Sequence, residues 1–280
     1  MSNPPGRSAW WRATGMTTLS GISQHFGAAL AFSSFSVVGP TAMAWLRLLV
    51  AAVFMGVWRR PSFRLGRTRL AVAVGYGSVT AGMNISVYQA IERIPLGTVT
   101  AIEFCGPVVV GALLSRSLRD WAAVVLAAAG VLVITGGMWA QEVIGVLFAA
   151  GAAVLYAIKI VLTDRIARSP RSLDDLSVAF AVLTIALAPV MFPHTLRAWT
   201  SGTTLLAIVT VGILSTVVPY LIDQYTVRIA GPGGLAVLLA LLPGTATLVG
   251  ALALGQVPTL REVVGVALIM AAVGSRTTRL

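Results

Sequence analysis

MNISVYQAIERIPLGTVTAIEFCGPVVVGALL, residues 83–114, sets a glutamate, Glu103, inside a run otherwise apolar enough to cross a membrane. If a span starts at Pro95 and runs to Leu114, Glu103 lies eight residues in. At ~1.5 Å per residue that is roughly 12 Å deep, near the middle of a hydrocarbon core about 30 Å thick. A carboxylate there costs on the order of 3 kcal/mol even on lenient insertion scales, so the default reading is a buried functional group. Four residues on, one turn along the same face, Pro107 removes a backbone hydrogen bond and frees a carbonyl. Freed backbone at this depth must be buried in protein or line a cavity, so the stretch reads as part of a pathway.

Composition agrees with a membrane setting. Of 280 residues, 57% are hydrophobic and only 10% charged, and mean hydropathy is +0.90. Soluble domains carry about a quarter charged residues. The net charge of +11 does not point to nucleic acid, because nearly all the surplus falls in short loops, where arginine sets orientation. The single cysteine, Cys105, lies inside a span; it excludes a disulfide within the chain and argues against a metal cluster. Residues 1–15 hold Arg7 and Arg12 but no separate apolar segment with a cleavage site, so no cleaved signal peptide is expected.

Apolar stretches of spanning length recur from end to end, and the reading is an all-α integral membrane protein with ten transmembrane helices. They fall at about 16–35, 40–57, 70–91, 95–114, 121–138, 143–163, 176–192, 203–226, 233–254 and 260–275. With the N-terminus inside, fifteen of the twenty basic residues fall in cytoplasmic segments and three, Arg93, Arg197 and Arg261, in opposite connections. Arg47 and Lys159 lie within spans. That bias is what the positive-inside rule expects of ten spans with both termini cytoplasmic.

The halves echo each other. QAIERIPLG at Gln89–Gly97 is answered by QYTVRIAGPGG at Gln224–Gly234, each leading into a span with a proline well inside, Pro107 and Pro243. Five spans per half is odd, so the second copy lies upside down relative to the first. The expected organisation is a tail over residues 1–15, one five-helix repeat over 16–138, a second over 143–275 and a tail over 276–280. Inverted repeats build a site at the midplane and let either side open in turn.

The run MNISVYQAIERIPLGTVTAIEFCGP followed by SRSLRDW resembles the corresponding segment of bacterial threonine and homoserine exporters, in the EamA branch of the drug/metabolite transporter superfamily. LSTVVPYLIDQ at Leu214–Gln224 is similar to the family's eighth span, and TAMAWLRLLVAA at Thr41–Ala52 to its second. The resemblance covers nearly the whole chain and implies a transporter of two inverted five-helix repeats that moves small metabolites outward. Three positions depart from the family's pattern. Leu242 stands before Pro243 where a glutamate is usual, Gln256 follows Gly255 where an acid is usual, and Phe32 stands about where many members carry a lysine, while Lys159 appears in the sixth span.

Candidate site residues follow. Glu103 reads either as a proton carrier or as a fixed ion-pair partner of Arg47, which lies at comparable depth. The planar fork of Arg47 suits a substrate carboxylate, and equally a role in helix packing. Gln24, Asn84 and Tyr88, the last two at i and i+4 on one face, supply neutral hydrogen bonds suited to an amino acid or to neighbouring helices. His25 sits near the same depth, either titrating or held by a neighbour. Asp223 resembles an acidic position of the family near the cytoplasmic boundary and reads as a gate candidate. Lys159, four residues before its span ends, can snorkel to the interface. Pro107, Pro219 and Pro243 are the candidate helix-breaking positions.

The expected function is proton-linked or facilitative export of small polar metabolites, amino acids above all, across a bacterial plasma membrane by alternating access. The expected partners are a small-molecule substrate and membrane lipid, without nucleic acid, for a monomer or homodimer. No cofactor and no metal are expected. HExxH, Walker A and GxSxG motifs are missing from the sequence, so the chain is not read as an enzyme. The competing readings are a multidrug exporter, an intramembrane enzyme built on His25 and Glu103, and a membrane scaffold or sensor.

Overall fold

Inside a bilayer every backbone polar group must be paired within the protein, and a helix does this within one segment. The computed structural model describes residues 7–60, 66–115, 118–135, 142–167, 172–219, 221–222, 225–226, 238–239 and 241–275. Among these, ordered structure is helical and no strand occurs. The principal helices are α1 (Arg7–Ser33), α2 (Pro40–Arg59), α3 (Arg67–Ile91), α4 (Leu96–Glu103), α5 (Cys105–Ser115), α6 (Leu118–Thr135), α7 (Val143–Ala167), α8 (Ser172–Met191), α9 (Gly202–Gly212), α10 (Leu242–Leu254) and α11 (Leu260–Ser275). A single turn, Phe35–Val38, joins α1 to α2, and a 3₁₀ segment, Phe192–Thr200, follows α8.

Four stretches are each long and apolar enough to cross a bilayer: Pro40–Arg59, Arg67–Ile91, Val143–Leu162 and Ser177–Thr200. Outward-facing apolar side chains fit that reading, with Leu206 and Leu252 at 68% and 79% exposure. This is a multi-pass membrane protein. Three boundaries differ from the sequence expectation. α1 starts at Arg7 rather than near residue 16, because SAWWRAT between Arg7 and Gly15 holds no helix breaker. The fourth span is two helices, interrupted at Phe104. α7 continues to Ala167, so Lys159 lies two turns inside its helix rather than at its end.

The helix contacts pair off between the halves. α3 packs along α7, while α1 packs along α9 and the turn beyond it; α4 and α5 lie on α7, while α10 lies on α1; α3 meets α8, while α2 meets α9. Three further contacts join α2 with α8, α4 with α10 and α6 with α11. Where α6 crosses α11 the backbones nearly touch. A Cβ on Gly130 would sit 2.8 Å from the Gly265 carbonyl oxygen, and one on Gly265 would sit 2.7 Å from that of Gly130. Small residues at such a crossing let dispersion contacts hold helices together where lipid is as apolar as the side chains.

The two ends of the bundle are tied differently. At one end Arg59 pairs with Asp174 at 3.2 Å and Arg69 pairs with the buried Asp175. At the other, neutral and capping bonds dominate. Gln89 Nε2 donates to Thr41 Oγ1 at 2.8 Å, Leu96 N–H to Gln256 Oε1 at 3.0 Å, and Thr98 Oγ1 to Glu262 Oε1 at 3.2 Å.

Candidate functional site

Glu103 closes α4, and it is only 7% exposed. Pro107 lacks the N–H that would serve the carbonyl four residues back, which is the carbonyl of Glu103 itself. Side-chain charge and freed backbone oxygen thus occur at one residue, beside the interruption at Phe104. Among the described residues no hydrogen bond or ion pair engages the Glu103 carboxylate. The fixed Arg47–Glu103 pair open on the sequence is therefore not formed. The positive charges whose fields reach Glu103 are Lys159 on α7 and then Arg47.

Lys159 is brought there by packing. Phe104 meets Tyr156 edge to face, centroids 5.5 Å apart, and Lys159 Nζ lies 5.5 Å from the Tyr156 ring centroid. Gly106 abuts the Ala153 carbonyl, which lets the broken helix approach α7 closely.

Arg47 is held on three sides. Nε donates to Thr216 Oγ1 at 3.1 Å, Nη2 donates to the Ser215 carbonyl at 3.1 Å, and the guanidinium lies 5.2 Å from the Tyr88 ring centroid. The acceptor has a local cause. Beyond α9 the helix widens into a π turn, Ile213–Val217, where Val218 N–H reaches the Ile213 carbonyl. Pro219, buried, has no N–H for the carbonyl of Ser215 in α register or of Leu214 in π register. Arg47 serves the first, and Ser23 Oγ donates to the second at 2.8 Å. Gly27 makes the approach of α1 possible, since a Cβ there would lie 2.8 Å from that of Ser215. Packing and anchoring are thus the observed work of Arg47.

Of the neutral candidates, Asn84 Nδ2 donates to the Thr80 carbonyl on its own helix at 2.8 Å. Tyr88 is fully buried with its ring 5.5 Å from that of Phe35. Gln24 is half-buried. His25 Nδ1 lies 3.0 Å from Thr245 Oγ1, whose hydroxyl donates to the Leu242 carbonyl at 2.8 Å. Tyr88 Oη, Thr80 Oγ1 and His25 Nε2 are buried without a partner among the described residues. Unmatched polar groups of this kind mark places where a protein keeps hydrogen-bonding capacity for function. Pro243 opens α10 after a turn at Leu241, a second interrupted segment. Asp223 lies outside the described residues.

Two of the three departures from the family pattern, Leu242 and Gln256, have structural explanations. Leu242 packs in the apolar cluster with Phe104 and Ile269. Gln256 caps the first free N–H of α4. Glu262, which the sequence reading passed over, is 7% exposed and accepts from Thr259 N–H at 2.7 Å, while its own N–H meets Thr259 Oγ1 at 3.3 Å. Thr259-Leu260-Arg261-Glu262 is a capping box, a signal readable from spacing alone. No cluster of three metal-ligating side chains occurs among the described residues.

Residues 143–275 of the chain match the model of the EamA-like transporter family, so the chain is similar to that family over this stretch. It is 29% identical to the threonine/homoserine exporter RhtA of Escherichia coli strain K12 over 262 residues, 90% of this chain and 87% of that protein. The identity and coverage are the same for the threonine/homoserine exporter RhtA of Salmonella typhimurium strain LT2. A solved crystal structure superposes on 98% of this chain and 100% of its own length with a TM-score of 0.64 at 21% identity, a likeness of fold.

Proposed function

We propose that the protein exports small polar metabolites, amino acids of the threonine and homoserine kind, across a bacterial plasma membrane in exchange for protons. The observation that carries this reading is Glu103: buried, without a hydrogen bond or ion pair among the described residues, and set beside the freed backbone at Pro107. A carboxyl so placed can alternate between a neutral form and an ionised form that meets substrate ammonium. Tyr88, Thr80 and His25 offer unpaired hydrogen-bonding groups within the same bundle.

The supporting architecture is ten spans in two inverted repeats, 16–138 and 143–275, with both termini cytoplasmic. The reciprocal contacts between halves support it, as does the arginine bias. Alternating access then swings one half against the other around the midplane. Within this reading Arg47 holds the π turn, and Asp223, near the cytoplasmic boundary, is the gate residue. The working unit is a monomer or homodimer that needs no cofactor.

A multidrug exporter would be favoured if Leu242 and Gln256 opened an apolar path. Leu242 instead fills the core beside Ile269, and Gln256 is engaged with Leu96, which supports the polar-substrate reading. The test is efflux of radiolabelled threonine and homoserine, with a cationic dye as control, from cells expressing the protein. Faster loss of the amino acids, abolished by a proton uncoupler, is the expected result. Efflux of the dye alone would refute the substrate assignment, and movement of neither would favour a scaffold or sensor.

A further inference from the structure

A groove of about 950 Å³ runs along the outer side of α2 where α9 leaves it. Its α2 wall includes Val53, Phe54, Val57, Trp58 and Arg60, whereas α9 and its π turn contribute Val209 and Ile213. The two helices touch where Gly212 abuts Val50. The α2 wall runs from Leu49 to Arg60, which at ~1.5 Å per residue is about 16 Å, the depth of one hydrocarbon leaflet. The wall is apolar along its length and carries a single cation at its end.

That cation is available. Arg59 is occupied by Asp174 at 3.2 Å and lies 5.8 Å from the Trp58 ring centroid. Arg60 is exposed and forms no ion pair among the described residues. It is also the one non-glycine residue with positive φ among them, at 46°, and its N–H closes α2 by donating to the Gly56 carbonyl at 2.9 Å. Trp58, two residues before Arg60 and 53% exposed, is the residue type that settles at the lipid headgroup level. The arginine-rich connections fall at this end of the bundle, which the charge bias assigns to the cytoplasm.

We propose that this groove binds one anionic phospholipid of the cytoplasmic leaflet, with an acyl chain along α2 from Trp58 to Val50 and the phosphate on Arg60. Length, apolar lining and terminal charge each match that occupant. A second copy of the chain would instead bring its own Arg60 toward this one about a twofold axis through the groove. An anionic lipid neutralises the charge, and cytoplasmic leaflets supply such lipids.

The test is native mass spectrometry of the full chain in detergent with phosphatidylglycerol and phosphatidylcholine of identical acyl composition. Wild type retains one phosphatidylglycerol in preference to phosphatidylcholine, by about fivefold for one arginine contact. Arg60→Gln abolishes the preference. Val57→Trp, which fills the groove at a position 70% exposed, lowers retention of both lipids while the helical circular-dichroism spectrum is unchanged. Equal retention of the two lipids by wild type, or undiminished phosphatidylglycerol retention in both variants, would overturn the proposal. So would a Trp58→Cys variant that cross-links into dimers excluding the lipid, which would make the groove an interface between copies.

Discussion

Arg47 forms no ion pair with Glu103 among the described residues, because it has other work. Its guanidinium is spent on Thr216, the Ser215 carbonyl and the Tyr88 ring. Replacing it with alanine strands a carbonyl that Pro219 cannot serve, at a cost of roughly 1–3 kcal/mol in stability. Arg47→Lys keeps the charge but cannot reproduce the two-point contact. Thermal unfolding in detergent checks this: both variants melt lower than wild type, and export falls only in proportion to folded protein. A loss of substrate affinity in Arg47→Lys at unchanged melting temperature would instead assign it to substrate binding. Glu103 was legible in the sequence because a charge inside an apolar run is conspicuous. Arg47's partners were not, since they sit 168 and 169 residues away and depend on a π turn with no clear composition signal.

At the scale of the element, proline placement decides where helices break. Pro107→Ala would return an N–H to the Glu103 carbonyl and close the interruption at Phe104. Because a helix-interior proline costs about 3 kcal/mol, the variant is expected to be at least as stable as wild type and slower in export. Unchanged export at higher stability would show that the break is dispensable. At the other end of the bundle, Thr259→Ala removes one side of the capping box and is expected to lower stability by about 1 kcal/mol, read by the same melting assay. The break near Pro107 and the box at Thr259 can both be read from local residues. The start of α1 at Arg7 could not be placed, because hydropathy marks where a helix enters lipid and not where it begins.

Across the whole molecule, helices of the first half of the chain pack on helices of the second, and the crossing of α6 on α11 is one of the closest of these contacts. Gly130→Leu would drive a side chain into the Gly265 backbone. Because backbone yields less readily than a side chain tip, the expectation is loss of folded protein on size-exclusion chromatography, whereas Gly15→Leu, with nothing within 4 Å, is tolerated. The spacing of apolar runs made the all-helical, membrane-spanning character legible, since it follows directly from the bilayer. Which helix faces which is decided by close approaches such as Gly130 on Gly265 and Gly106 on Ala153, and glycine content alone does not choose among partners.

Glu103 as the coupling group is the central claim, and reconstituted vesicles test it most directly. Purified wild type and Glu103→Gln would be compared for threonine counterflow without a gradient and for threonine movement driven by an imposed pH gradient. The account predicts that wild type does both, while Glu103→Gln retains counterflow and no longer responds to the gradient. A variant that follows the pH gradient as well as wild type does would contradict it.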